Sequence, residues 1–404
     1  MAYQPYEGRF TRFEEALTAK RISQLNMKPT WGISVLRYET TTTGTASSVG
    51  EENGEFRLQS GTANNSIAEI HTNQRGTYRA GAMGQCGIGA RIPTPPTGTA
   101  FCEWGYTDFT NGFYFGSDGT GKYVASVTGG VITKVYQADW NVDKLNGTGA
   151  SGKTLSLADG AVTHIDFTWY GYGDIEFSYF IKNPDTLEIE REVCHRFKFD
   201  GVASIIDPNQ PLSFRTGNGA TGTTNTSLYI GGHQFASVDG ELTQQKRLAS
   251  ELVTNYTTAL NTNWQPLIAV RKTANFNGRT NSINIQLNNF LVAATGDLEV
   301  RITVGGTTSN LTFGTPTARS ASETAVESKR TSTGTRLTAS VDGEPTEYAY
   351  VAGSGSGSNS QGTAEASAQF VLGQATEVIL WVRRLSAVGA ITVNHAHITW
   401  VGDW

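Results

Sequence analysis

Gly147-Thr148-Gly149-Ala150-Ser151-Gly152-Lys153-Thr154 runs into Leu155-Ser156-Leu157 and an Asp159-Gly160 turn. Val162-Thr163-His164-Ile165-Asp166-Phe167-Thr168-Trp169-Tyr170 follows. The first eight residues satisfy G-x-x-x-x-G-K-[ST], a loop whose backbone amides cradle phosphates. That loop works only between a buried strand and a helix whose N-terminus faces the phosphates. Here it is preceded by Gln137-Ala138-Asp139-Trp140-Asn141, which is no buried strand, and followed by a β-branched and aromatic run that starts no helix. No apolar run ending in a metal-binding Asp lies at a suitable distance. The stretch therefore reads as a Gly/Ser-rich loop between two strands, and a nucleotide site is not expected.

Working outward, the same punctuation recurs. Asn53-Gly54, Asn111-Gly112, Asp118-Gly119, Asp159-Gly160, Asp200-Gly201 and Asn218-Gly219 are hairpin-type dipeptides. Between them lie strand-like segments such as Gly112-Phe113-Tyr114-Phe115-Gly116, Lys122 to Val127 and Ile175 to Phe180, at the spacing of a β-sandwich. The composition agrees. Only 17% of the 404 residues are charged and 46 are glycine, which leaves little material for long, charged helical faces. The expected class is all-β, in two domains. The net charge of -5 comes without a basic stretch, so nucleic acid is not an expected partner. No apolar run reaches the length of a spanning helix and the first residues are not a secretory signal, so membrane insertion is not expected either.

The expected division is an arm with a short helix over 1–30, a first sandwich over 31–262 and a second over 263–404. In the arm, Thr11-Arg12-Phe13-Glu14 reads as a capping box, with Phe10, Phe13 and Leu17 on one face. So short a stripe cannot stabilise a helix alone, which makes these three residues candidates for an assembly contact. The stretch Leu242 to Leu260 contains helix-compatible residues, but Leu252-Val253-Thr254-Asn255-Tyr256-Thr257-Thr258 favours extended chain. Asn281 to Leu287, Leu298 to Val304 and Ala390 to Val393 alternate as strands, and Ala352 to Ser367 reads as a mobile Gly/Ser-rich loop.

Cys86, Cys102 and Cys194 are three widely spaced cysteines, read as buried free thiols of a protein made in a reducing cytosol. His395-Ala396-His397 could bind zinc with a third ligand, but the other histidines lack the spacing, so no metal or cofactor is expected and a surface or subunit-contact pair is the reading. Cys194 and His195 point to opposite faces of a strand and cannot form a nucleophile-base pair. Asp174-Ile175-Glu176 places two carboxylates on alternate residues, read as a solvated face. Trp104, Tyr106, Phe109, Phe113, Tyr114, Trp140, Trp169, Tyr170 and Tyr172 cluster in sequence. Most must fill the sandwich. Tyr170 and Tyr172, beside Gly171 and Gly173, are the candidate exposed rings for stacking on a sugar, with Asp108 and Asn111 as candidate partners for its hydroxyls.

Phe13 to Arg21, Gly112 to Gly116, Trp140-Asn141 through Thr168-Trp169-Tyr170-Gly171-Tyr172-Gly173, and the terminal Ile398-Thr399-Trp400-Val401-Gly402-Asp403-Trp404 resemble a family of tailed-phage virion structural proteins. The resemblance runs in order over nearly the whole chain, through packing motifs rather than catalytic ones. It implies a concanavalin-like lectin/glucanase sandwich followed by a smaller jelly-roll-like sandwich. It also implies a homo-oligomer located in the virion, in contact with other virion proteins of head or tail. The glucanase branch of that fold carries Glu-x-Asp-x-(x)-Glu, because retaining hydrolysis needs two carboxyl groups close together. The nearest string here, His164-Ile165-Asp166-Phe167-Thr168-Trp169, lacks both glutamates, so no catalytic residue is assigned. The expected function is a non-enzymatic virion component, the alternative an adhesin for host surface polysaccharide, and a degraded glycan hydrolase the third reading.

Overall fold

The computed structural model describes residues 21–78, 82–168, 172–183, 188–199, 205–222, 224–238, 246–256, 260–316, 324–332, 334–352, 362–366, 370–374, 376–385 and 391–403. The expected N-terminal helix with Phe10, Phe13 and Leu17, the Asp200-Gly201 turn, and Trp169 and Tyr170 lie outside them. The described residues fall into two compact units, within 1–34 plus 38–242 and within 35–37 plus 243–404. Both are all-β, and among the described residues neighbouring strands of the two main sandwiches pair antiparallel.

The first unit is a two-sheet sandwich. An eight-stranded sheet runs in the order Ile189–Phe197, Ile175–Lys182, Ala161–Thr168, Met83–Arg91, Ser227–Val238, Glu55–Gln59, Ser48–Glu52, with Arg21–Met27 also pairing Ser227–Val238. A seven-stranded sheet runs Val131–Tyr136, Lys122–Thr128, Gly112–Asp118, Ala100–Thr107, Leu212–Asn218, Ile67–Thr72, Tyr38–Thr43. Alternate residues of each strand point inward, and one core joins the sheets: Phe56, Ile165 and Phe177 from the first meet Ile70, Trp104 and Phe214 from the second. Rings cross the gap directly, as Tyr106 stacks on Phe235 at 4.7 Å and Phe115 meets the edge of Tyr179 at 4.9 Å. Trp104, Tyr106, Phe113 and Trp140 are buried in this core, as expected of rings that fill the sandwich, whereas Tyr114 is buried on the other face of the seven-stranded sheet with Tyr123, Ala125 and Val127. Asn53 and Gly54 have φ of 55° and 82°, the left-handed pair that a two-residue hairpin requires between Ser48–Glu52 and Glu55–Gln59.

The second unit repeats the principle. A four-stranded sheet, Lys246–Tyr256, Val393–Asp403, Asn284–Ala294 and Gly362–Ala366, shares a core with a six-stranded sheet, Val326–Arg330, Gln265–Lys272, Glu377–Arg384, Leu298–Ser309 and Thr338–Val341, in which Glu344–Val351 also pairs Leu298–Ser309. Leu287, Val292 and Trp400 meet Ile268, Val300 and Leu380 there.

Three local features depart from the sequence reading or refine it. The extended reading of Leu252 to Tyr256 holds, since Lys246–Tyr256 pairs along Val393–Asp403. Arg21–Met27 is a strand upstream of Trp31, where the β pattern was read to begin; a register shift between Ser23 and Leu25 breaks its alternation, which hides it in the sequence. Within the expected loop Ala352 to Ser367, Gly362–Ala366 pairs with Phe290 to Ala294, and its sequence Gly362-Thr363-Ala364-Glu365-Ala366 has no β-branched or aromatic apolar residue to announce a strand.

Candidate functional site

The outer face of the eight-stranded sheet concentrates polar chemistry in rows set by strand register. Gln85, Asp166, Glu176 and Arg196 form one row across four strands. Gly87, His164 and Ser178 form the next, and Gly89, Val162, Phe180 and Arg191 the one after. All point away from the core because their neighbours Cys86, Ile88, Ile165, Phe167, Ile175 and Phe177 point into it.

The first row corrects the reading of Glu176. It is buried rather than solvated, and its partner is not Asp174 but Asp166, directly opposite on the neighbouring strand. Two carboxylates so placed repel, and cations resolve this. Arg191 is ion-paired with Asp166 and with Glu176, the latter at 2.9 Å. Arg196 Nε donates to Glu176 at 2.8 Å, and Gln85 Nε2 donates to Asp166 Oδ1 at 2.8 Å. Sequence reasoning missed this cluster because its cations come from Ile189–Phe197, the strand after Ile175–Lys182, and a register shift between Phe177 and Ser178 governs which of its residues face the carboxylates. Chemically it presents carboxylate oxygens as acceptors and guanidinium groups as donors.

His164 lies in the next row, between Gly87 and Ser178. Burial, with the nearby Arg191 and Arg21 cations, lowers its pKa to about 4, so the ring is neutral at pH 7. Its Nδ1 has no hydrogen-bond partner among the described residues. Gly87 makes room for it: a Cβ there would meet His164 Nε2 at 2.9 Å.

At the next rows the face opens into a groove of about 380 Å³, lined among others by Gly89, Gly231, Val162, Phe180, Ile189 and the Glu55–Arg91 ion pair. Its floor is backbone. A Cβ built on Gly89 would meet the Gly232 carbonyl oxygen at 3.7 Å and one on Gly231 the Gly89 carbonyl oxygen at 3.8 Å, ordinary contacts with facing backbone that a side chain could make without a clash. One wall is apolar and solvent-facing, with Val162 48% and Ile189 72% exposed. Across it, the Arg91 guanidinium sits 4.1 Å from the centre of the Tyr229 ring. The signal in the sequence was Gly87 and Gly89 at period two inside Met83–Arg91, where glycines mark close approach of a ligand or another backbone.

The sequence-singled residues are placed as follows. Tyr172 is 68% exposed. Asp108 and Asn111 come together in one turn and serve it: Asp108 Oδ1 accepts from the Thr110 and Asn111 amides at 2.9 and 2.8 Å, Asp108 Oδ2 faces Arg75, and Asn111 Oδ1 accepts from the Gly129 amide at 3.0 Å. The phosphate-loop string is a loop closed on itself by a bridge between Asn146 and Thr154. Its amides are already used: Ser151 N donates to Asp143 Oδ2 at 2.6 Å, Thr148 N to Asn146 Oδ1 at 3.0 Å and Gly147 N to Lys153 O at 2.9 Å, and the buried Lys153 is ion-paired with Glu190 and Glu192.

Other constellations are closed. His71 Nδ1 lies 2.6 Å from Ser213 Oγ and its Nε2 contacts Glu69, which superficially matches a triad. Ser213, however, is wholly buried and its hydroxyl donates to the Thr107 carbonyl, so His71 cannot take that proton. His395 Nε2 and His397 Nδ1 are 2.8 Å apart, and among the described residues no three His, Cys, Asp or Glu groups gather to hold a metal. All three cysteines are free and buried. Burial raises Cys86 and Cys194 and pushes Cys102 up to about 12.

No protein family and no curated protein matches this chain. Among solved structures it is similar to the legume lectin-like domain from Entamoeba histolytica, at 11% identity and TM-score 0.31 over 52% of this chain and 95% of that one. It is also similar to the Bacillus licheniformis β-glucanase (11%, TM-score 0.33, 54% and 98%) and to the Emp47p carbohydrate recognition domain (12%, TM-score 0.31, 51% and 89%). These neighbours are concanavalin-like β-sandwiches. At such identities and scores the likeness assigns no function.

Proposed function

We propose that this protein is a non-catalytic carbohydrate-binding protein whose first sandwich takes a saccharide in the groove on the outer face of the eight-stranded sheet. The observation that carries the reading is the groove itself. A glycine floor lets a ring approach the backbone, Val162, Phe180 and Ile189 offer an apolar wall for its C–H face, and Glu55 and Arg91 offer an acceptor and a donor for its hydroxyls. The absence of hydrolysis is argued from Asp166 and Glu176. Both are tied to Arg191, whereas a retaining mechanism needs one carboxylate free as nucleophile and the other protonated as acid.

The sequence resemblance supplies a setting for this proposal. A phage particle assembled in the host cytoplasm would carry the protein as a homo-oligomer beside other head or tail proteins, with the groove directed at host surface polysaccharide. Filling the groove tests the binding reading. Gly89→Leu introduces bulk where a Cβ meets no atom closer than 3.7 Å, so the fold is expected to persist. Immobilised wild type should retain purified surface polysaccharide of a susceptible host, and Gly89→Leu should lose at least about tenfold in affinity, about 1.4 kcal/mol. Equal binding by the two proteins would remove the groove from consideration.

A further inference from the structure

The second sandwich carries an outward-facing platform of rings and ion pairs on its six-stranded sheet. Strand register places Tyr350, Glu299 and Arg383 in one row and Tyr348, Arg301 and Trp381 in the next. The alternate residues Val300, Ile302, Leu380 and Val382 fill the core, so these rows lie on the other face of the sheet, where Trp381 is itself buried with Ala269, Leu337 and Ile379 and the tyrosines stay exposed. Trp264 lies against them, with its ring centre 4.5 Å from the Arg301 guanidinium, 4.6 Å from that of Arg383 and 6.2 Å from the Tyr348 ring. Tyr348 and Tyr350 remain 54% and 52% exposed.

Each cation is already paired: Arg301 with Asp342 and Arg383 with Glu299, both at 2.6 Å. Arg301 is nearly buried, and its Nε has no hydrogen-bond partner among the described residues. Tyr348 and Tyr350, two residues apart on one strand, stand roughly 7 Å from each other along it. The result is a row of rings held in place by cation–π and ionic contacts, with acceptors and donors between them, and such a surface loses little side-chain freedom on binding.

We infer that this face is a second saccharide-binding site, taking a neutral, extended glycan chain along the Tyr348–Tyr350 strand. The charges decide the class of ligand. Protein–protein interface cores favour Tyr, Trp and Arg but deplete Asp and Glu, and covering the Glu299 and Asp342 ion pairs with an apolar partner would desolvate them without compensation. Hydroxyl groups replace the water around Glu299, Arg383 and Asp342 one for one, while the C–H faces of sugar rings stack on the two tyrosines. The paired cations and anions balance, which favours a neutral chain over an anionic one. This site stands independently of the groove in the first sandwich.

The test uses the full chain on an array of neutral and acidic oligosaccharides, with wild type, Tyr348→Ala/Tyr350→Ala, Tyr348→Phe/Tyr350→Phe and Gly89→Leu, each checked for folding by circular dichroism and for oligomeric state by light scattering. The expected result is a set of neutral oligosaccharides whose binding falls at least tenfold in the double alanine variant. The same binding should be kept within about twofold in the double phenylalanine variant, which retains stacking, and in Gly89→Leu. Three outcomes would overturn the inference. One is that no neutral oligosaccharide is bound; another is that all saccharide binding is lost in Gly89→Leu alone. The third is that the double alanine variant changes oligomeric state while binding every saccharide as wild type does, which would make the face a subunit contact. Gly89→Leu separates this site from the groove, so either reading can fail while the other stands.

Discussion

Asp166 and Glu176 face each other across neighbouring antiparallel strands, and the Arg191 guanidinium bridges both carboxylates. The pair is buried on the outer face of the sheet, so its stability depends on a cation supplied from another strand. Arg191→Ala would leave two facing carboxylates with Gln85 and Arg196 as their remaining named partners. Because Arg191 is itself about a third exposed, the loss is discounted from that of a fully buried pair to about 2 kcal/mol. Urea denaturation should show it, and the further change Asp166→Asn should restore part of it. If Arg191→Ala is as stable as wild type, the bridge has no structural role.

The phosphate-loop string gives an expectation of the opposite kind. Lys153 is buried against Glu190 and Glu192, and the loop amides of Gly147, Thr148 and Ser151 already donate to Lys153 O, Asn146 Oδ1 and Asp143 Oδ2. Calorimetry with magnesium-ATP should therefore register no binding. Lys153→Met should lower the melting temperature measurably by leaving two glutamates close together without their cation. Saturable heat of binding, abolished by that substitution, would refute the structural assignment.

Much of this fold was legible because alternation and turn chemistry are local signals. Asn53-Gly54 announced its hairpin, and Phe113, Phe115, Val124 and Phe177 announced strands with an apolar face. The candidate site was less so. Glu176 and Asp166 stand ten residues apart in sequence, but Arg191 and the Arg91–Glu55 pair reach the same face only through sheet order, which no short window encodes. Asp108 and Asn111 illustrate the converse: residue types suited to a sugar also suit a turn, and here both build one.

Three histidines make the first sandwich acid-sensitive. Burial lowers the pKa of His164, His195 and His233 to about 4, aided at His164 by Arg191 and Arg21 and opposed at His233 by its bond to the Gly231 carbonyl. The unfolded chain, with ordinary histidine pKa values near 6.5, binds protons first as pH falls. Stability is therefore complete above about pH 6.5 and declines toward pH 4, by roughly 1.4 kcal/mol per pH unit for each fully shifted histidine. His233→Gln, at the ring that also bonds the Tyr38 hydroxyl, should flatten this slope even while lowering stability at pH 7. A slope unchanged by the substitution would remove His233 as a contributor.

The thiols should be inert in the folded protein. Cys86, Cys102 and Cys194 are buried, with pKa values raised by burial, so little thiolate forms and reagents cannot reach it. Ellman's reagent should detect no thiol in the native protein, and all three after denaturation. Rapid reaction of one thiol without unfolding would show that its part of the core opens.

The N-terminal segment allows a division of labour to be tested with two truncations. Arg21–Met27 pairs with His233 to Val238 on both sides of its register shift, and Leu25 is buried in the first core, so this strand belongs to the sandwich. Removing it would expose that core and one edge of Ser227–Val238, with a cost of about 2–4 kcal/mol from Leu25 and its neighbours. On the proposal that Phe10, Phe13 and Leu17 form an assembly contact, a chain beginning at Arg21 should keep the melting temperature of the full chain while losing its oligomeric state. A chain beginning at Lys28 should melt well below both. If the chain beginning at Arg21 assembles normally, the three apolar residues are not a docking stripe. If it melts as low as the shorter chain, they contribute to the sandwich and not to assembly.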